Sequence, residues 1–291
     1  MAGGPGGPSG RKKKGGPWRI VFWIALVVLV CSLVALGVIG FGYWQGQQKN
    51  AEVSTEAFTP PEDIAGANLA DLTVDWDALR AINPETVGWI YIPDTVVNYP
   101  IVHTADDNKY LKTDFKGETN WVVSFGAIFL SAENAANFSD ANNIVYGHNM
   151  NDGSMFSHVA SLDDTAQFNK HRTVYILTPQ GNYRLNSFSL VHVPANDPLV
   201  QTTFASDDER TAYVQDKMDR SVVAPDPAAP AAADITKMFA LATCDNLPSD
   251  GRYVLFCSVV ESTVAQAGDS TTGETVDPGM EAAIGEAAEG L

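Results

Sequence analysis

Three short stretches combine reactive side chains with the end of an apolar run. Tyr146-Gly147-His148-Asn149-Met150 closes one such run, Leu241-Ala242-Thr243-Cys244 closes another, and Arg252 follows Cys244 by eight residues at the start of a third. Each reactive group therefore falls where a strand would give way to a loop, the usual place for a site carried by a rigid sheet. A thiolate attacks amide carbonyls well, and a nearby imidazole stabilises it or moves its proton. The departing amine needs a proton, which His supplies most readily near neutral pH. A fixed guanidinium offsets the negative charge of a tetrahedral intermediate. Cys244, His148 and Arg252 together suffice for acyl transfer with no metal and no cofactor.

Taken singly, each has an ordinary explanation. His148 is one of five histidines, with His103, His158, His171 and His192. A cysteine on a strand is usually a packing residue, and an arginine at a strand start is usually a solvated charge. Cys244 and Cys257 also invite a disulfide, while no paired Cys/His spacing suggests a metal site. Strand parity speaks against that disulfide. Cys257 lies five residues beyond Arg252 on one predicted strand, and an odd separation sends the two side chains to opposite faces. If Arg252 faces the site, Cys257 faces away and packs.

The elements that would position these groups are short. Predicted strands cover Gly88–Ile92, Val96–Val102, Ala127–Leu130, Asn143–Tyr146, Val174–Thr178, Tyr183–Val193, Phe239–Thr243 and Tyr253–Val260, with a hairpin at Pro179-Gln180-Gly181-Asn182. Such a series predicts a mainly antiparallel barrel or sandwich. Helices are expected after Asp75, with Trp76, Leu79 and Ile82 on one face, over Met155–Phe168, and from the capping pattern Ser206-Asp207-Asp208-Glu209 to about Arg220.

Charge and hydropathy place this domain. Ile20 to Trp44 holds no charged residue and is nearly all apolar, long enough to cross a hydrocarbon core of about 30 Å. Five of the 18 basic residues, Arg11, Lys12, Lys13, Lys14 and Arg19, flank its N-terminal end, leaving 13 basic against 35 acidic residues beyond it, a balance of −22. The positive-inside rule then puts residues 1–17 in the cytoplasm and the rest outside. The acidic exterior argues against nucleic acid as a partner. A cleaved signal peptide fits less well, because its apolar core is shorter and a small-residue cleavage site should follow. The expected organisation is a disordered cytoplasmic tail at 1–17, a transmembrane helix at 18–44, a polar stalk at 45–72, a catalytic domain at 73–261, and a disordered acidic tail at 262–291.

The ordered set of motifs over roughly residues 72–261 resembles class B sortases. The resemblance rests on Val87-Gly88-Trp89-Ile90, Asp94-Thr95-Val96-Val97-Asn98-Tyr99-Pro100-Ile101-Val102, Asp107-Asn108-Lys109-Tyr110-Leu111 and Gly126-Ala127-Ile128-Phe129-Leu130. It continues in Asn143-Ile144-Val145-Tyr146-Gly147-His148-Asn149-Met150 with Met155-Phe156, and in the segment ending at Cys244. It implies an eight-stranded β-barrel with an N-terminal helix and a further helix in the loop before the cysteine strand. It implies Cys244 as nucleophile, His148 as general acid and base, Arg252 as oxyanion or substrate-positioning group, and Thr243, Ala242 and Asn149 at the substrate. The implied reaction cleaves a sorting signal after Thr, holds the acyl group as a thioester on Cys244, and passes it to an amine of a cell-wall precursor or to a pilin lysine. The implied partners are surface proteins or pilins bearing that signal, the peptidoglycan precursor amine, and the membrane. Phe239 and Ala242 depart from the family signature, and the eight-residue step from Cys244 to Arg252 is short for it. A cysteine transpeptidase of the L,D type would need His beside Cys in a Ser-His-Gly-Cys setting, which is absent around Cys244. A non-catalytic, membrane-tethered surface module is the remaining reading.

Overall fold

The computed structural model describes residues 17–265, except 120–122, 124, 195–196, 198–200 and 247–250. The tails expected at 1–17 and 262–291 therefore lie almost wholly outside the described residues. In chain order the elements are α1 (Pro17–Ala57), α2 (Trp76–Ile82), β1 (Thr86–Tyr91), β2 (Asn98–His103), α3 (Asp107–Tyr110), β3 (Ile128–Leu130), β4 (Asn142–Tyr146), α4 (Ser157–Ala160), α5 (Thr165–Lys170), β5 (Thr173–Thr178), β6 (Gly181–Pro194), α6 (Asp207–Asp219), β7 (Met238–Cys244) and β8 (Gly251–Ser262).

The eight strands close into a barrel in the order β1-β2-β3-β4-β7-β8-β6-β5. Closure leaves no sheet edge unpaired. Most neighbours run antiparallel, but β2 with β3 and β4 with β7 are parallel. Alternation along the strands sorts side chains between the barrel interior and an outer layer. Phe239 and Leu241 of β7 and Leu255 and Cys257 of β8 point inward, with Ile90, Ile101, Val145, Ile176 and Leu190. Met238, Ala240 and Ala242 of β7 and Val254 and Phe256 of β8 point outward. There α6 covers them with Val214. Helix α6 opens as its capping pattern predicts, with the Ser206 hydroxyl accepting from the Glu209 amide and the Glu209 carboxylate accepting from the Ala205 amide.

Two regions differ from expectation. Residues 45–72 do not stand free as a stalk. Helix α1 is unbroken through Ala57, and Val53, Ala57, Phe58, Ile64, Leu69 and Leu72 are buried with Trp89, Phe129 and Leu177 on the outer face of the barrel. Asn182 pins this wrap by donating to the carbonyls of Leu69 and Leu72 at 2.8 Å each. The packed unit thus begins upstream of residue 73. Second, the helix expected over Met155–Phe168 is broken. Asp164 stops one helix and starts the next, its carboxylate accepting from the amides of Ala166 and Gln167. Phe156, Val159 and Leu162 are nonetheless all buried. Helix α3, capped by Asp106, was not expected from periodicity because it is a single turn.

His158 of α4 stands edge-on to His171, ring centroids 4.8 Å apart, and its buried Nε2 has no hydrogen-bond partner among the described residues. Burial, followed by the neighbouring His171 and Lys170, depresses its pKa to about 4. A depressed folded-state pKa means that the neutral ring contributes stability in full above the unfolded value of 6.5. That contribution fades as pH falls from there toward 4. Thermal melts should therefore show a smaller loss of midpoint between pH 6.5 and 4 in His158→Phe than in the parent, with the two pH slopes alike above pH 7.

Candidate active site

The parallel ladder between β4 and β7 aligns Asn142 with Met238 and Tyr146 with Ala242, one constant offset throughout. The Gly147 amide extends it by donating to the Ala242 carbonyl at 3.1 Å. Just past the end of this ladder, His148 and Cys244 line the same cleft, and the next residue, Asn149, reaches the Cys244 carbonyl. On the other side of β7 the antiparallel ladder places Arg252 of β8 directly opposite Cys244. A histidine nearly a hundred residues upstream thus meets a local Cys244–Arg252 pair at one end of three adjacent strands. The eight-residue step from Cys244 to Arg252 is spanned by this direct cross-strand pair.

Cys244 shares the outward face of Ala240 and Ala242, and Arg252 that of Val254 and Phe256. They open on a cleft of about 180 Å³ lined by Asp107, Leu111, Phe129, Tyr146, Gly147, His148, Ala242, Thr243, Cys244 and Arg252. Phe129 and Tyr146 form its apolar floor, their rings 5.2 Å apart. Burial raises the Tyr146 phenol, reinforced by Asp107 and opposed by Arg252. Among the described residues no ion pair engages the Arg252 guanidinium. Cys244 is exposed at the strand end, whereas Cys257 is fully buried inside the barrel, and both are free thiols. Burial pushes the Cys257 thiol up to about 12, with Ser187 Oγ 3.5 Å from its sulfur. The parity argument for Cys257 is met by this arrangement.

His148 is held by residues outside the β4–β7–β8 ladders. Its Nε2 lies 2.9 Å from the Leu111 carbonyl, just after α3. Gly126, at φ +58°, packs against the ring so closely that a Cβ there would stand 2.6 Å from His148 Cδ2. A second clip joins the two loops. Asn149 Nδ2 donates to the Cys244 carbonyl at 2.9 Å, and Asn246 Nδ2 donates to the Asn149 carbonyl at 2.7 Å. Asn149 is thus a bridge rather than part of the cleft lining. Ala242 and Thr243 do line the cleft, but the Thr243 hydroxyl follows the inward parity and has no hydrogen-bond partner among the described residues.

Sequence reasoning missed the support behind Cys244. The Asp245 carboxylate, 1% exposed, pairs with His192 Nε2 at 2.8 Å. His192 stacks on Tyr253 at 4.4 Å. Gly251 closes over the pair, since a Cβ there would meet Asp245 Oδ2 at 2.2 Å. The adjacency of Asp245 to Cys244 was the only sequence signal for it. Among the described residues no cluster of three or more His, Cys, Asp or Glu could hold a metal ion.

Comparison with known proteins agrees on one family. Residues 90–260 match the sortase domain model. Sortase B of Listeria monocytogenes is 28% identical over 200 residues, covering 68% of this chain and 80% of that protein. Sortase B of Staphylococcus aureus is 26% identical over 191 residues, covering 64% and 75%. A crystal structure of sortase B from Bacillus anthracis superposes with a TM-score of 0.63 at 31% identity, covering 75% of this chain and 98% of that one.

Two outcomes follow from the geometry. Brief iodoacetamide treatment of the folded protein at neutral pH should alkylate Cys244 and spare Cys257, as read by peptide mass spectrometry; a Cys244–Cys257 bridge in the non-reduced digest would contradict the structure. Asn149→Ala should cost about 1 kcal/mol of stability and speed amide exchange at Asp245 and Asn246.

Proposed function

The chain belongs to the sortase family, as a class B cysteine transpeptidase, and on that premise we propose that it cleaves a sorting signal after Thr and joins the freed carboxyl to an amine of a cell-wall precursor. The observation that supports this reading is a cleft at the ends of β4, β7 and β8 lined by an imidazole, an exposed thiol and the guanidinium paired across the β7–β8 ladder from it. The Cys244 thiolate attacks the Thr carbonyl and forms a tetrahedral intermediate, whose oxyanion Arg252 stabilises. The C–N bond then breaks, His148 protonates the leaving amine, and a thioester remains on Cys244. In the second half His148 takes a proton from the incoming amine, which displaces the thiolate and closes a new amide. The floor of Phe129, Tyr146 and Ala242 suits the apolar part of an extended peptide.

The exposed apolar run from Trp18 to Trp44 supports anchoring by α1, with the basic N-terminus in the cytoplasm and the barrel outside. The bilayer then confines enzyme, signal-bearing surface protein and acceptor to one layer. A pilin lysine is the alternative acceptor of the same chemistry.

Cys244→Ala should abolish cleavage of a sorting-signal peptide while circular dichroism and the thermal midpoint stay near the parental values. His148→Ala should slow cleavage by roughly 10²–10⁴-fold, and Arg252→Lys should lower kcat more than it raises KM, because a lysine loses the planar fork. Retained cleavage in Cys244→Ala would reject the reading. A peptide library, with a diamine, a peptidoglycan-type amine and a lysine peptide as competing acceptors, identifies signal and acceptor by product mass.

A further inference from the structure

Helix α1 does more than lead to the barrel. From Tyr43 onward it presents one face, Tyr43, Gly46, Asn50, Val53 and Ala57, at helical spacing, and that face grips two separate segments. The first is the stretch between α3 and β3. The Tyr43 ring meets Phe125 edge-on at 5.9 Å, and Gly46 lies against the same ring, where a Cβ would stand 2.2 Å from it. Lys49 pairs with Glu118 and, at 3.7 Å, with Asp114, and Glu52 pairs with Lys116 at 2.7 Å. The second is the turn after His148. Gln47 donates to Asp152 at 3.0 Å, and Asn50 Nδ2 lies 3.8 Å from Met155 Sδ.

Both gripped segments end on His148. The first begins with Leu111, whose carbonyl meets His148 Nε2, and ends with Gly126, which packs on the imidazole. The second returns to it through the Phe156 amide, which donates to the His148 carbonyl at 2.9 Å. None of these α1 contacts reaches Cys244 or Arg252, which, apart from the Asn149 bridge to the Cys244 carbonyl, are held by β7, β8 and the Asp245–His192 pair. Imidazole and thiol are therefore supported by different parts of the molecule.

We propose that the extracytoplasmic turns of α1, from Tyr43 to Ala57, are a positioning element of the active site that sets where the His148 ring stands relative to Cys244. Gly46 and Lys49 are its key residues. Gly46 allows the helix to touch Phe125, next to Gly126, and Lys49 fixes the other end of the same segment. They act through His148 and touch no substrate. The activity readout rests on the sortase reading; the structural readout does not.

The test uses the full chain in detergent micelles. Gly46→Leu forces Phe125 and Gly126 outward, and Lys49→Met removes the ion pairs, with Lys49→Arg as the conservative rescue. Gln48→Leu, on the exposed side of α1, is the control. The His148 imidazole is followed by its carbon-bound proton signal in NMR, together with kcat and KM for sorting-signal peptide cleavage and the thermal midpoint. Gly46→Leu is expected to shift the His148 signal and lower kcat by roughly ten-fold or more with KM within about two-fold. Lys49→Met should lower kcat about three-fold, and Lys49→Arg should restore it. A folded Gly46→Leu with parental kcat and an unmoved His148 signal overturns the proposal, and so does a fall in thermal midpoint alone. Should Gly46→Leu not fold, the Lys49 pair decides: parental kcat in Lys49→Met overturns it, and loss with rescue by Lys49→Arg supports it. If the parent cleaves no sorting-signal peptide, the sortase reading has failed instead, and the His148 signal in Gly46→Leu decides the positioning claim alone.

Discussion

The parallel pairing of β4 with β7 is the constraint on which the site depends. These strands are nearly a hundred residues apart in sequence, and their backbone hydrogen bonds permit one register at a time. A slip of one residue would turn the entire inward set of β7, Phe239 and Leu241, to the outside. Burial of those side chains in the barrel therefore holds His148 and Cys244 abreast without any direct bond between them being needed to do so. The β7–β8 ladder acts the same way on Arg252. Core packing in this sense brings the strand ends to one place, while contacts outside the sheet, from Leu111 and Gly126, then set the imidazole itself.

The outer layers serve different parts of this arrangement. Helix α6 and its surroundings cover the outward faces of β7 and β8 and so back the strands that carry Cys244 and Arg252. The wrap formed by α1, residues 58–74 and α2 covers β1, β2 and β5 and reaches His148 by way of the α3–β3 segment. Glu85 contributes to the same segment by pairing with Lys109 at 2.5 Å while also bonding the Tyr110 hydroxyl, and the Asn83 amide reaches Tyr110 and Phe115 at 2.8 Å each. The imidazole is thus set by loop-borne contacts braced from outside, whereas the thiol is set by a strand.

That division explains what was legible in the amino-acid sequence. Strands with two-residue alternation announce themselves, and so did the candidate residues His148, Cys244 and Arg252, which fall at or just past strand ends and line one cleft. The parity of Cys257 could be worked out because β7 and β8 pair without a bulge over that stretch. The order β4-β7 could not be read from local pattern, since a parallel neighbour carries no turn signal. The docking of residues 45–57 was hidden for a related reason. Its contact face mixes Gly46, Lys49 and Asn50 with only two apolar side chains, Val53 and Ala57, which is too few to raise a hydropathy signal, and the contact combines apolar burial with close approach and charge pairing. Gly126 was visible only as a letter in a motif; its need for φ +58° and for a missing Cβ against His148 is a property of three dimensions.

Cys244 and Cys257 show how far environment outweighs residue type. They stand thirteen positions apart on adjacent paired strands, and neither is oxidised. Cys257 faces Phe239 across the ladder inside the barrel, where burial raises its thiol to about 12 and leaves it protonated and unreactive. Cys244 faces Arg252 at the open end of the same ladder, on the outward parity, beside the cleft. Its sulfur is open to water, lies across the ladder from the Arg252 guanidinium, and shares its cleft with the His148 imidazole just past the end of β4. One sheet thus holds an inert sulfur and an accessible one, and the difference is decided by which face of the strand each residue falls on and how far along the strand water reaches.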